Sequence, residues 1–259
     1  MASKHELKSN TSEVKEPLKS NIPTYIPTYT DLYVRHDNIH GSIQISQVAN
    51  QIIQHRYFQR LKEIHQLGPL HFKFPYANHS RFEHSIGVAY LARTAATALR
   101  GKHNTITDRE VMCVEIAGLC HDLGHGAYSH SFDHLLKELG VKADTAHHEV
   151  RSQVLVNVMV EQLNKAGLIN ITTEDIKLIQ YFIDPDKFTL LYPDQPIPAF
   201  FAGLEQIVSN PVHKVDVDKM DYLLRDAQAL RFDQTLKYTL DIVGLLSRAQ
   251  IIDGMWMFH

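Results

Sequence analysis

The sequence predicts a mainly α-helical protein with at most a short β-hairpin. Apolar residues recur at the 3.6-residue spacing of an amphipathic helix along most of the chain after residue 30. Segments that alternate between apolar and polar residues, as half-exposed strands do, are few. The chain also lacks the regular strand–helix alternation and the glycine-rich phosphate loop of nucleotide-binding α/β folds. These observations together favour a helical bundle.

The composition is that of a globular protein. Of the 259 residues, 44% are hydrophobic and 21% are charged, so the chain can form a core and is not disordered throughout. The net charge of -3 excludes a basic field over the whole surface of the kind that attracts nucleic acid. No run approaches the roughly 18 apolar residues of a membrane span, and the first thirty residues show no secretory signal. We therefore expect an intracellular protein without a membrane partner.

The two cysteines support the same location. Cys113 and Cys120 lie on one predicted helix, too far apart along its axis to form a disulfide. Free thiols are typical of a reducing compartment, here the cytoplasm or the nucleus.

Residues 1–30 are predicted to be a flexible arm, and residues 31–259 one domain. The arm is rich in Lys, Glu and Ser, and it contains Ile-Pro-Thr-Tyr twice in succession, where the prolines disfavour helix. Within the domain, the first strand candidate is Gly41–Ser46, which alternates regularly. Leu70–Phe74 is a weaker strand candidate.

The predicted helices follow in order. Helical spacing predicts one helix over Val48–Ile64, ended by Gly68-Pro69, and a second over Ile86–Leu99. Residues 107–110, Thr-Asp-Arg-Glu, form a capping box that opens a helix through Leu119. Four further helices are predicted, with one proline-rich loop at 184–198: they are 150–163, 173–183, 200–208 and 218–230. The apolar residues of 238–259 predict a final helix pair or an exposed interface.

Side chains that carry chemistry gather at three places, of which the first is His79–His84. On a helix or tight turn, Arg81 and His84 lie three positions apart and share a face. This pairs an imidazole that can bind a metal with a guanidinium that can bind phosphate. Taken alone, the pair is better explained by a surface arginine and a hydrogen-bonded histidine.

The second cluster, residues 119–130, follows directly on an apolar helix. Burial of His121 and Asp122 at the end of such a helix is costly unless a cation or a hydrogen-bonded partner neutralises them. An imidazole and a carboxylate form a mixed nitrogen and oxygen set that suits Fe, Mn, Ni or Zn. His125 lies four residues further on and can face the same site, and two glycines leave room for a ligand. A buried His–Asp pair without metal is the alternative, but the density of polar residues favours the metal.

The third cluster lies on the helix predicted from residue 218. One polar arc about 100° wide contains Asp218, Lys219, Tyr222 and Asp226. This arc offers a metal carboxylate, an ammonium group for phosphate, a phenol and a second acid. Asp221 and Arg225 form an i,i+4 pair on another side of the helix, which we interpret as surface electrostatics.

Together the clusters supply four candidate ligands for one divalent metal ion: His84, His121, Asp122 and Asp218. Four protein ligands leave positions on a six-coordinate ion for water and a phosphate oxygen, so the ion would act as Lewis acid and template. Positive charge for a polyphosphate would come from Arg81 and Lys219. Proton transfer near neutral pH would fall to His125, His130 or His148.

This arrangement resembles that of the HD-domain metal phosphohydrolases. It is most similar to the deoxynucleoside triphosphate triphosphohydrolases among them, and especially to those that also carry a sterile-alpha-motif domain. The resemblance runs from about residue 34 to 232, and the matching runs are Asp37–Gly41, Phe58–Leu61, Gln66–Gly68, Arg81–Ser85, Ile116–Gly126 and Asp216–Lys219. It implies hydrolysis of deoxynucleoside triphosphates to deoxynucleoside and triphosphate on a helical HD domain, with one divalent ion such as Fe, Mn, Zn, Ni or Mg.

The resemblance also implies a role for each site residue. The four ligands named above would hold the metal, His148 would be the catalytic histidine, and Asp133 would orient it. His125 would belong to the same catalytic group. Contacts to the triphosphate would come from Arg81, His125, His130, Lys219 and Tyr222. Contacts to the deoxyribose would come from Gln66, Leu67 and Asp226.

Three departures from the family pattern shape the expected activity. No sterile-alpha-motif domain precedes residue 34, and the chain ends at His259, where the family continues with a large C-terminal region. Gln54 stands where the family has an aspartate that reads guanine in an activator pocket, and Lys62 stands in place of an arginine. We therefore expect weak activity without stimulation by GTP or dGTP.

Two other functions stay open on the sequence alone. One is a different HD phosphohydrolase, acting on a monophosphate or an alarmone-type substrate. The other is a nucleotide-binding or nucleic-acid-binding modulator without turnover. Retention of every metal ligand argues for an enzyme, whereas the short C-terminus argues for a modulator. A homo-oligomer and weak binding of single-stranded nucleic acid are compatible with the resemblance.

Overall fold

The computed structural model describes residues 31–231 and 241–258, and it has the predicted mainly helical class. Two antiparallel β-hairpins accompany the helices where one was predicted. The first joins β1 (Leu32–Asp37) to β2 (Gly41–Ser46), with Leu32 opposite Ser46. The second joins β3 (Gln250–Ile252) to β4 (Met255–Met257). The predicted arm at 1–30 lies outside the described residues.

The helices surround one core. They are α1 (Gln47–Gln54), α2 (Arg56–Gln59), α3 (Arg81–Arg100), α4 (Asp108–Cys120), α5 (His130–Glu138), α6 (Ala143–Ala146), α7 (His148–Lys165), α8 (Thr173–Ile183), α9 (Pro185–Leu191), α10 (Val217–Leu230) and α11 (Ile242–Arg248). Short 3-10 helices lie at Arg60–Glu63, Gly68–Phe72 and Leu204–Gln206. Across the two described ranges, no helix is long and apolar enough to cross a membrane.

Helix α4 lies at the centre of the core. The predicted capping box opens it, since the Thr107 side chain accepts from the Glu110 amide and the Glu110 carboxylate accepts from Thr107 in return. Every residue from Glu110 to Cys120 is buried, and the helix packs most extensively against α3 and α8. Because α4 has no solvent-exposed face after Arg109, the residues that directly follow it are held on a rigid support.

Two predicted elements differ from the structure in the first third of the chain. The single helix predicted over 48–64 is broken at His55, which has an extended backbone and whose ring accepts from the Tyr57 amide at 3.2 Å. The ring therefore caps a new helix, α2. The weak strand candidate at 70–74 is instead part of a 3-10 helix that has Pro69 in its first turn.

Three further differences lie in the second half. The proline-rich loop contains α9, because Pro185 suits the first turn of a helix and Asp184 caps it by accepting from the Lys187 amide. The helix predicted over 200–208 is reduced to a 3-10 turn, because Gly203 adopts a left-handed backbone with φ 102°. Within 241–258, the segment predicted to form a final helix pair or an exposed interface contains α11 and the second hairpin, in which Trp256 is fully buried. Residues 232–240 lie outside the described residues.

Candidate metal centre and active-site cavity

The four predicted metal ligands come together although they belong to three separate parts of the chain. His84 lies near the start of α3, His121 and Asp122 directly follow α4, and Asp218 is in the first turn of α10. Three helix ends therefore meet at one point. Cys113 and Cys120, which precede this point on α4, are buried and free, as predicted.

Capping interactions fix the two helix starts. At α3, the Glu83 carboxylate accepts from the Ser80 amide at 2.7 Å, which closes a capping box. At α10, the Asp216 carboxylate accepts from the Lys219 amide at 2.9 Å. These caps determine where the first turn of each helix begins, and hence where the ligand side chains project.

The donor atoms form a compact cluster. Asp218 Oδ1 lies 2.9 Å from His84 Nε2 and 3.4 Å from His121 Nε2. The two Nε2 atoms are 3.3 Å apart, and Asp122 Oδ2 lies 3.5 Å from each of them. Donors held at about 2.0–2.2 Å from one ion stand about 3.0–3.5 Å from one another. His84, His121 and Asp122 therefore form a group that fits one divalent ion, and Asp218 Oδ1 lies next to both imidazoles.

The charges of the cluster favour a cation. Burial alone would raise the pKa of Asp122, but Arg81 and His121 hold it well below its usual range. Burial also opposes ionisation of Asp218, yet hydrogen bonds from His121 and His84 lower its pKa. For His84, burial lowers the pKa, but Asp218 and Asp221 outweigh it and raise the pKa to about 10. Two ionised carboxylates thus face the imidazoles at the point where a divalent cation would lie.

A buried polar group lies behind His84, and we call its members, Asp37, His40, Asp221 and Arg225, the rear network. Asp221 lies 2.8 Å from His84 Nδ1 and 2.7 Å from His40 Nε2. Arg225 donates to Asp221 through Nε at 2.8 Å and Nη2 at 2.9 Å, and to Asp37 at 3.0 Å. Asp221 is fully buried and Arg225 is 4% exposed. The interpretation of the Asp221–Arg225 pair as surface electrostatics is therefore wrong.

A histidine–aspartate pair lies beside the cluster. His148 is the first residue of α7, and its Nδ1 lies 2.8 Å from Asp133 Oδ2. Arg151 donates to the other oxygen of Asp133. Partial burial raises the pKa of Asp133, but His148 and Arg151 outweigh it and lower the pKa, so the carboxylate stays ionised. The free nitrogen of His148, Nε2, lies 3.9 Å from Asp122 Oδ1, next to the metal ligands.

Two more predicted histidines contact His148. The His125 ring stacks on it with centroids 3.8 Å apart, and its Nε2 lies 3.2 Å from Asp122 Oδ1. His125 is almost completely buried, and burial lowers its pKa to about 3, so the ring is neutral. His130 lies edge-on to both rings, with centroids 4.9 Å and 5.3 Å away. Only His130 of these two lines the cavity described next.

A cavity of about 290 Å³ opens over the cluster. Predicted site residues in its wall are Gln66, Leu67, Arg81, His121, Asp122, His130, His148, Asp218, Tyr222 and Asp226. The wall also contains residues that were not predicted as site residues: Glu149, Ile183, Asp184, Val208, Ser209 and Asp216. Most of these lie at the ends of helices or in loops, where the sequence gives no periodic signal.

Lys219, like His125, is a predicted contact that does not line the cavity. Its Nζ donates instead to the backbone carbonyl of Lys214. Tyr222 and Asp226, on the same predicted arc, do reach the cavity. Burial raises the pKa of Tyr222, so its phenol is a neutral hydrogen-bond donor. His79 fixes the Asp226 carboxylate, since its Nε2 lies 2.6 Å away.

The loop between Asp122 and α5 has an unusual backbone. Tyr128 and Ser129 both have positive φ, 63° and 58°. The Ser129 hydroxyl donates to the His65 carbonyl at 2.7 Å and accepts from Arg81 Nε at 2.8 Å. On the facing segment, a Cβ at Gly68 would lie 2.8 Å from the Tyr128 carbonyl oxygen, so only glycine allows this approach. The bridge through Ser129 ties the loop to the cavity wall.

Comparisons with known proteins identify a family and several relatives. The model of the HD domain family matches residues 81–226, more than half of the chain. The deoxynucleoside triphosphate triphosphohydrolase SAMHD1 of Gallus gallus is 39% identical over 217 residues, and that of Homo sapiens 37% over 237 residues. A SAMHD1 homolog of Dictyostelium discoideum is 39% identical over 225 residues. These alignments cover 79%, 86% and 86% of this chain, but only 35%, 38% and 40% of the relatives.

Proposed function

Since this chain belongs to the HD domain family, we propose that it is a phosphohydrolase that cleaves deoxynucleoside triphosphates to deoxynucleoside and triphosphate. One observation carries the proposal: two imidazoles and two carboxylates lie together beside a cavity that is also lined by His148, the hydrogen-bonded partner of Asp133. The names of the similar proteins support the substrate class. An intracellular location, a homo-oligomer and weak binding of single-stranded nucleic acid stay predictions from the sequence.

We infer that one divalent metal ion is held by His84, His121, Asp122 and Asp218. When bound, such an ion supplies a Lewis acid that polarises a phosphoryl oxygen and lowers the pKa of coordinated water. Two imidazoles in the donor set favour Fe, Mn, Ni or Zn over Mg, which prefers oxygen ligands.

The cavity wall has few positive charges for a triphosphate. Arg81 is the arginine that lines it, and its guanidinium contacts the Asp122 carboxylate. Four carboxylates besides the two metal ligands also line the cavity, from Glu149, Asp184, Asp216 and Asp226. Because these groups repel a polyanion, nucleotide binding should depend on divalent cations as well as on Arg81 and His130.

The His148–Asp133 pair suits proton transfer to the leaving group. Hydrolysis at the α-phosphorus forms a bond to the water oxygen, breaks the bond to the 5′-oxygen, and leaves that oxygen in need of a proton. Nε2 of His148 would deliver it. Asp133 holds Nδ1 of the same ring, so its negative charge stabilises the imidazolium form from which the proton comes.

Other residues that line the cavity suit the sugar. Gln66 is 9% exposed, and its Oε1 is buried without a hydrogen-bond partner among the described residues. A hydroxyl of the deoxyribose could donate to this oxygen and satisfy it. Leu67 and Tyr222 also line the cavity, and their bulk would favour a sugar that lacks the 2′-hydroxyl.

Product analysis tests the proposed function. The purified chain, loaded with Mn²⁺, is incubated with each deoxynucleoside triphosphate and each ribonucleoside triphosphate, and the phosphorus products are separated. We expect deoxynucleoside and intact inorganic triphosphate, from the deoxynucleotides only. A parallel incubation contains nucleoside monophosphates, from which release of orthophosphate would indicate a different HD phosphohydrolase. Binding of nucleotide without any product would indicate a modulator. Either result contradicts the proposal.

Two neighbouring histidines provide a matched pair of variants. His148→Ala should keep the metal and nucleotide binding but lose turnover. His147, whose side chain is 30% exposed and does not contact Asp133, should tolerate the same change. Equal losses in the two variants would contradict the assignment of His148.

A further inference from the structure

We propose that Asp221 is a positioning residue that presents His84 to the metal, as the centre of the rear network. The proposal rests on the proposed metal site and concerns residues that do not themselves bind the ion. Asp221 lies on α10, three residues after the ligand Asp218 and about 60° from it around the helix axis. Its carboxylate contacts α3 through His84 and the first hairpin through His40.

The first step is the choice of tautomer. An ionised carboxylate only accepts hydrogen bonds, so Nδ1 of His84, at 2.8 Å from Asp221 Oδ2, must carry a proton. In a neutral imidazole the lone pair is then on Nε2. That atom is the one that lies among the other three donors, 2.9 Å from Asp218 Oδ1. Asp221 thus makes His84 a ligand through Nε2 and fixes the plane of its ring.

The second step is the immobility of Asp221. Arg225 holds both of its oxygens with a two-nitrogen fork, and His40 lies 2.7 Å from Oδ1. Arg225 is in turn held by Asp37, whose Oδ1 accepts from the amides of Ile39 and His40 in the hairpin turn. The carboxylate therefore cannot rotate without breaking several buried hydrogen bonds at once.

The third step is an independent observation on α3. Gly87 lies in the interior of this helix, where glycine costs about 1 kcal/mol relative to alanine. A Cβ at this position would lie 2.0 Å from Asp221 Oδ1 and 2.5 Å from Arg225 Nη2. The glycine is thus needed for the carboxylate and the guanidinium to approach the helix that carries His84.

The test measures metal affinity, not only activity. Asp221→Asn keeps the size of the side chain but places an NH₂ group against donors that need an acceptor. We expect the dissociation constant for Mn²⁺ or Co²⁺ to rise about 10- to 100-fold, the range found when such outer partners of metal-binding histidines are removed. The Co²⁺ absorption spectrum should change as well, because the orientation of His84 changes.

A matched control separates this effect from general damage to the core. Glu115 is a fully buried carboxylate that accepts from Arg93 at 3.2 Å and from the Ser46 amide at 2.7 Å, away from the metal ligands. Glu115→Gln should leave metal affinity unchanged, whatever it does to the melting temperature. A wild-type metal affinity in Asp221→Asn, or an equal loss in Glu115→Gln, would overturn the positioning role.

Two further measurements cover the case in which Asp221→Asn does not fold. Arg225→Lys keeps the buried positive charge but removes the fork, and its metal affinity should fall several-fold. In the wild type loaded with Cd²⁺, nitrogen NMR of labelled histidine should show metal on Nε2 and a proton on Nδ1 of His84. The opposite assignment would refute the proposal without any variant. Failure of the wild type to bind metal would overturn the proposed function and this inference together.

Discussion

Replacement of Asp133 with asparagine tests how His148 is oriented. Arg151 donates to Oδ1 of Asp133, so it should keep the oxygen of the new amide on its own side. The amide nitrogen then faces Nδ1 of His148, to which Asp133 Oδ2 is now hydrogen-bonded at 2.8 Å. An NH₂ group cannot accept from Nδ1–H, so the imidazolium form of His148 loses its partner.

The size of the effect follows from the bond that is lost. A hydrogen bond between charged groups contributes about 1.5–3 kcal/mol, and each 1.4 kcal/mol corresponds to about a tenfold change in rate. We therefore expect kcat to fall about 10- to 150-fold. The fold should survive, because the amide oxygen of the variant still accepts from Arg151.

The assay determines kcat and KM from triphosphate release, and elemental analysis determines the metal content of the same preparation. Metal content should be unchanged, because Asp133 is not among the converging donors. Glu138→Gln, which removes the same charge from an exposed position on α5, serves as control and should retain full activity. A wild-type kcat in Asp133→Asn, or a parallel loss of metal, would refute the reasoning.

Three further predictions concern the metal, the packing and the pH dependence. Asp122→Ala removes an anionic ligand and should strip the metal, so a stoichiometric metal content by elemental analysis would contradict the ligand set. Gly124→Ala would place a Cβ 2.2 Å from the His148 carbonyl oxygen and 2.6 Å from the Ser152 amide. Overpacking of this kind costs about 1–3 kcal/mol, so the melting temperature should fall by about 2–10 °C, and an unchanged value would contradict this close packing. Burial raises the pKa of Glu115 despite the opposing effect of Arg93, so the folded state takes up a proton more readily than the unfolded state. The stability of the wild type relative to Glu115→Gln should thus be greatest below pH about 4.5 and be lost as the pH rises through the folded pKa. Denaturant unfolding at several pH values measures this difference, and a difference that grows with pH would contradict the prediction.

Local signals explain why some elements could be predicted from the sequence. Helix α8 has the predicted bounds, because Thr172 caps it and its apolar residues keep one register. The start of α4 was likewise marked by its capping box. His55 gave no such signal, since a histidine that caps a helix through its ring looks like any other histidine within an apolar period. Tertiary packing, and not propensity, decides that break.

The residues of the candidate site likewise fall into those that the sequence could predict and those that it could not. The sequence could bring the metal ligands into consideration because they cluster with other polar residues over short spans. It missed Asp221 and Arg225 because their spacing is also that of an ordinary surface ion pair. A signal was nevertheless present in the helical positions of these two residues. At 100° per residue, Asp221 and Arg225 project between the buried Leu224 and the ligand Asp218, and so not towards the side of the helix opposite the core. The distant partners, Asp37 and His40, could be found only from the folded chain.

The backbone at Ser129 has a consequence for attempts to engineer a more heat-resistant protein. Its φ of 58° and ψ of -126° are values that glycine adopts at little cost. A redesign guided by backbone preference would therefore choose glycine and expect to relieve about 1–3 kcal/mol of backbone strain. That change would delete the hydroxyl that joins Arg81 to the His65 carbonyl, and it would leave a buried guanidinium N–H unpaired at a cost of about 1–3 kcal/mol. At Ser129 the residue that the backbone prefers is thus the wrong replacement. The backbone conformation favours glycine, whereas the hydrogen bond that orients Arg81 requires serine.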